Sequence, residues 1–146
     1  MSLSKQYKTD EVKVVNGYRH ILGENEDKSQ IAVILSFMGE TNQRYAAALD
    51  RATKPHKRKI QLGTFPDSEA KRITREIFIT HVMLGWENVL MADVTGNPED
   101  TGYAPFNKEN ANALFDRLPL LYTEVANEAS NISNFLAADL EEEVKN

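Results

Sequence analysis

Three histidines, one oxygen-rich loop and one cluster of cations are the features of this sequence whose types and spacing invite a chemical reading. His20, His56 and His81 stand far apart in the chain, and none falls in a metal-binding spacing such as H-E-x-x-H. The sequence has no Cys, which excludes disulfides, thiol nucleophiles, thiolate zinc sites and iron-sulfur clusters. A zinc centre would have to be assembled from distant residues. The expectation is ordinary surface or core histidines, with His81 packed in the core and its ring nitrogen hydrogen-bonded. Asp93, Thr95, Asn97, Glu99 and Thr101 follow the alternating oxygens of a calcium-binding loop, but Pro98 stands where the sharp turn needs Gly and Ala104 where a bidentate Glu closes the shell. A polar loop ended by Pro105 needs no ligand. The sequence contains no P-loop, dinucleotide-binding glycine motif, nucleophile elbow or paired acid and base. No catalytic residue, metal or cofactor is therefore expected, and the chain reads as a non-enzyme.

What remains is suited to binding. Lys54, Lys57, Arg58 and Lys59, with Arg51 one turn earlier, concentrate positive charge in a chain where 22 Asp and Glu outnumber 17 Lys and Arg. Cations at a helix C-terminus complement its dipole by about 0.3–1 kcal/mol each; the alternative is a docking patch for an acidic partner. Nucleic acid fits less well, because aromatic residues are not interleaved for stacking and the net charge of −5 weighs against a general phosphate-binding surface. Phe78, Val82, Met83 and Trp86 pose a second choice. At helical spacing they are ordinary core. If partly exposed, they form a groove for an amphipathic helix, with Met supplying adaptable packing and Trp an anchor.

The elements that must position these residues follow from periodicity and punctuation. The chain has 146 residues, 41% hydrophobic and 27% charged, a composition that argues against wholesale disorder and fibrous classes. No apolar run approaches the roughly 18 residues needed to cross a bilayer, and Met1 to Asp10 lack the apolar stretch of a signal peptide. Residence in the cytoplasm and no membrane partner are the expectation. Val12 to Val15 run into Asn16-Gly17 and then Tyr18 to Leu22, which predicts a hairpin with a type I′ turn. Ile31 to Met38 reads as a third strand, although so short an apolar run is also compatible with a helix. Asn42 caps a helix that Pro55 kinks or restarts before Gly63. Pro66-Asp67-Ser68 opens the longest helix, with two apolar stripes reaching Val89 and Asp67 or Ser68 as cap. Ala92 to Pro105 reads as a loop, Asn107 as the cap of another helix, and Pro119 as the first turn of the last one. Leu121, Val125, Ile132 and Leu136 are expected on its buried side. The predicted class is α+β: a small N-terminal antiparallel sheet in residues 1–40, a helical region in 41–140 and an acidic tail in 141–146.

Four stretches in succession carry a resemblance. Asn42-Gln43-Arg44-Tyr45-Ala46-Ala47-Ala48-Leu49, Lys54-Pro55-His56-Lys57-Arg58, Gly85-Trp86-Glu87-Asn88-Val89 and Pro105-Phe106-Asn107-Lys108-Glu109-Asn110-Ala111 resemble, in order and spacing, the small tail assembly chaperones of long-tailed phages and prophages. The sequence departs from that pattern at Thr41-Asn42-Gln43, where an Asn-Pro turn is expected, and in a longer loop from Asp93 to Gly102. The resemblance implies a non-enzymatic protein that binds the long helical tape measure protein, keeps it soluble while the tail tube polymerises, and is absent from the finished virion. It places the protein in the bacterial host cytoplasm, with the tail tube protein as a second partner and a homo-oligomer compatible with the role. On this reading Phe78, Val82, Met83 and Trp86 make apolar contacts and Lys54, Lys57, Arg58 and Lys59 orient them. The competing class is a small structural tail or head-completion protein retained in the virion.

Overall fold

A computed structural model describes residues 2–137; the acidic tail at Glu141 to Glu143 lies outside the described residues. Two short helices come first, α1 (Leu3–Gln6) and α2 (Glu11–Asn16). Strands β1 (Tyr18–Glu24) and β2 (Gln30–Leu35) follow, then α3 (Gln43–Thr53), a 3₁₀ turn at Lys54–His56, and α4 (Lys57–Gln61). Next come α5 (Asp67–Ile77), a π-helical turn at Phe78–Val82, and β3 (Met83–Glu87). The remaining elements are α6 (Met91–Thr95), α7 (Lys108–Arg117), α8 (Pro119–Ser130) and a 3₁₀ turn at Ile132–Phe135. The strands form one antiparallel sheet in the order β1-β2-β3, and the protein is α+β.

The sheet is not the one the Asn16-Gly17 pair suggested. Val12 to Val15 are helical, because Asp10 accepts the Val12 and Lys13 amides at 3.0 and 3.2 Å and so caps α2. Gly17 ends that helix at φ +85°, ψ 171°, a region essentially restricted to glycine. The hairpin lies one element later, between β1 and β2, where Asp27 accepts the Ser29 amide at 2.9 Å and Lys28 takes a positive φ of 74°. The strand expected from Ile31 is β2, but it ends at Leu35.

The longest predicted helix is also shorter than its apolar pattern. α5 stops at Ile77, the π turn follows, and the Met83 amide donates to the Phe78 carbonyl. Ile77, Ile79, Thr80 and Val82 are β-branched and weak helix formers, and Gly85 weakens the pattern again. Pairing with β2 wins: Leu35 opposes Met83 and Val33 opposes Trp86. Residues 83–87 thus supply the third strand from within the region read as helical. Pro66 occupies the cap position of α5 without a side-chain bond, so neither Asp67 nor Ser68 caps it.

The segment after β2 ties the layers together. Ser36 is fully buried, and its hydroxyl donates to the His81 and Val82 carbonyls at 3.2 and 3.1 Å. The Phe37 amide donates to Val14 of α2 and the Met38 amide to Ala129 of α8. The principal core joins Val33 and Leu35 of the sheet to Phe78, Val82 and Met83, and to Ala111, Phe115, Val125 and Ala129 of α7 and α8. Full burial of each large apolar side chain contributes about 1.5–3 kcal/mol. α8 ends at Ser130, so Ile132 sits in the following 3₁₀ turn, and Phe135 rather than Leu136 is the fully buried residue there. A smaller cluster of Ala48, Ile73 and Ile77 fastens α3 to α5.

Candidate interaction surface

Burial decides the role of the apolar stripe. Phe78 and Val82 are 0% exposed and Met83 1%, so none reaches the surface in this conformation. The Phe78 ring stands edge-on to Tyr122 with centroids 5.4 Å apart. Trp86 is half-buried, and its indole N–H donates to the Ala104 carbonyl at 2.8 Å while the ring packs at 5.1 Å against Phe106. Phe78, Val82 and Met83 come together as buried core between the sheet and α7–α8, with Trp86 packed partly buried against them. An exposed groove of Phe78, Val82 and Met83 for a foreign helix is corrected to core.

The cations fare differently. Asn42 is fully buried, accepts the Arg44 amide at 3.2 Å and donates to the Phe37 carbonyl at 3.0 Å. It thereby fixes where α3 leaves the sheet. Pro55 breaks the regular helix into the 3₁₀ turn, and α4 ends against Gly63, whose φ of 70° reverses the chain. The result is a helical arm, residues 43–63, with six cations and one carboxylate, Asp50. No residue of α4 is buried. Lys54, Lys57, Arg58 and Lys59 are exposed, and among the described residues none of them, nor Arg51, has a carboxylate within ion-pair distance. The ion pairs lie elsewhere: Arg19 meets both Glu87 oxygens at 3.0 Å across the sheet, and Arg75 reaches Asp116 at 2.8 Å.

Two apolar side chains accompany the cations, Ile60 at 44% and Leu62 at 65% exposure. Composition singled out the cations but not these two, whose sequence signal is an apolar pair directly after the basic run. Between α3, α4 and α5 lies a hollow of about 370 Å³ lined by Leu49, Thr53, Ile60, Phe65, Ile73 and others. His56 stacks on Phe65 with ring centroids 4.8 Å apart, holding the turn after α4 against the 3₁₀ turn before it.

The other residues singled out in the sequence have local roles. His81 is half-buried rather than core-packed; partial burial lowers its pKa, and Arg51 and Arg44 lower it further. The oxygen ladder from Asp93 is consumed internally: Thr95 donates to Asp100 at 2.6 Å, and the Glu99 amide to the Asn97 side chain at 3.0 Å. Arg117 donates to the Asp93 carbonyl. Its first part is helix α6 rather than loop. Among the described residues no group of three or more His, Asp or Glu is placed to hold a metal, and no helix is long and apolar enough to cross a membrane.

Fold and surface together define a small α+β protein with a segregated cationic arm. The model of the YdaY prophage protein family matches residues 40–146, and the chain belongs to that family. The protein is phage-derived, and the matched span starts just before the arm and runs through β3, α7 and α8. No curated protein and no solved structure matches the chain.

Proposed function

We propose that this phage-derived chain is a non-enzymatic tail assembly chaperone. It binds the tape measure protein in the host cytoplasm, keeps that long helical client soluble during tube assembly, and leaves before the virion is complete. The observation that carries the reading is the arm. Among the described residues its cations have no carboxylate within ion-pair distance, and Ile60 and Leu62 stand exposed beside them. A holdase must present apolar surface to its client while charge keeps it from self-association, and the arm combines both on a chain of net charge −5. Phage origin and the succession of motifs from Asn42 to Ala111 support the same reading. Because Phe78, Val82 and Met83 are interior, the apolar contacts are assigned to the arm.

Co-expression with the tape measure protein of the same prophage tests this. The client should be soluble with the chain and sediment without it; equal solubility in both cases overturns the reading.

A further inference from the structure

The principal core encloses a space that its own side chains do not fill. Between the sheet and α7–α8 lies a cavity of about 170 Å³, walled by Val33 of β2, Trp86 of β3, Leu114 and Phe115 of α7, and Leu121 and Val125 of α8. Its walls are braced. The Phe115 ring packs against Tyr122 and Phe78 with centroids 5.2 and 6.1 Å away, and the Trp86 indole is pinned by its bond to the Ala104 carbonyl at 2.8 Å. Walls held in this way relax only partly into a void.

Water is a poor occupant of this space. One water requires roughly 10–15 Å³, which the cavity exceeds, but a buried water also needs two to four polar partners. Among the described residues that line the cavity, the side chains offer one donor, the Trp86 indole N–H, which is already given to Ala104. The one carboxylate of the lining, Asp93, is exposed. Asp93 and Leu118 are the two exposed lining residues and mark the mouth, where Arg117 reaches from the end of α7 to the Asp93 carbonyl.

We infer that this cavity is a binding site for a small uncharged apolar molecule, the size of one aromatic ring or a short alkyl chain. Size and lining both name the ligand. Cavities of about 150 Å³ lined by Leu, Ile and Phe stay dry and take up benzene or xenon, whereas drug-sized ligands occupy roughly 300–1,000 Å³. A ligand that buries a charge or a hydroxyl here gives up its hydration with no partner to replace it. The site is separate from the cationic arm and does not depend on the chaperone reading.

The test is NMR titration of the methyl-labelled full chain with benzene. Benzene should bind saturably, show nuclear Overhauser contacts to the methyls of Val33, Leu114, Leu121 and Val125, and raise the melting temperature as a ligand of the folded state does. Pyridine has the same size but a ring nitrogen that finds no free donor, and it should bind at least tenfold more weakly. Leu121→Phe and Val125→Leu each place added volume in the space and should lower the benzene affinity at least tenfold, with circular dichroism confirming the fold. If neither variant folds, the contacts in the wild type decide. Absence of saturable binding up to the solubility limit of benzene would overturn the proposal, as would contacts confined to Leu49 and Ile60 in the hollow beside α4. Pyridine binding as tightly as benzene, or an unchanged affinity in both folded variants, would overturn it equally.

Discussion

Truncating Phe78 to Ala distinguishes an interior π turn from a surface one by the size of its effect. The side chain is 0% exposed, its ring edge-on to Tyr122 at 5.4 Å and tilted against Phe115 at 6.1 Å. Phe→Ala at such sites costs about 3–5 kcal/mol, combining lost transfer energy with a cavity. The upper half applies here, because Val82, Met83 and Phe115 around it are themselves held by the sheet and α7 and have little room to collapse. A protein of this length has a stability on the order of 7–15 kcal/mol, so the variant should still fold. At about 3–4 °C per kcal/mol, interpolated for this size, the melting temperature should fall by roughly 12–20 °C. Urea unfolding followed by circular dichroism gives the free energy and a thermal scan the midpoint. A loss under about 1 kcal/mol, the scale of a surface substitution, would refute the burial argument and return Phe78 to the surface.

Gly17→Ala should destabilise by about 1–3 kcal/mol in urea, because a side chain at φ +85° is strained and its Cβ would stand 3.0 Å from the Leu35 carbonyl oxygen; an unchanged midpoint would contradict that geometry. Asn42→Ala should cost about 2 kcal/mol, from a lost cap and an unpaired Phe37 carbonyl, and hydrogen exchange should show the first turn of α3 opening before α5. Asp27 is held at about 2 by hydrogen bonds from the Ser29 hydroxyl, the Ser29 amide and then the Tyr103 hydroxyl. A lowered carboxyl pKa stabilises the fold above the unfolded value of about 4 and loses that contribution as pH falls toward 2. The Asp27→Asn variant should therefore show a shallower loss of stability between pH 4 and 2 than the wild type; identical acid profiles would exclude the contribution.

The legibility of this sequence varied with how local each signal was. Asn42, Asn107 and Pro119 act within three or four residues of themselves, and all three occupy the predicted helix starts. Asp10 sends the same kind of signal, but the β-branched run Val12, Val14 and Val15 and the Asn-Gly pair pointed toward strand. A single satisfied cap prevails over six residues of weak propensity. The stretch from Met83 to Glu87 could not be read locally. It is a strand because Val33 and Leu35, some fifty residues away, offer a partner edge and the apolar spacing of Phe78, Val82 and Trp86 suits a helix as well as an α–π–β transition. The candidate surface divides the same way. Its cations were visible as a run, but exposed Ile60 borders a hollow that exists only when α5 folds back beside α3.

The chaperone account is tested most directly by following the chain and the tape measure protein together through prophage induction. Lysates taken before tails assemble, separated by size and quantified by mass spectrometry, should show the two proteins co-eluting, with the chain absent from purified particles. A chain that never co-elutes with free tape measure protein and instead persists in finished particles at a fixed stoichiometry would contradict the account and make it a structural component.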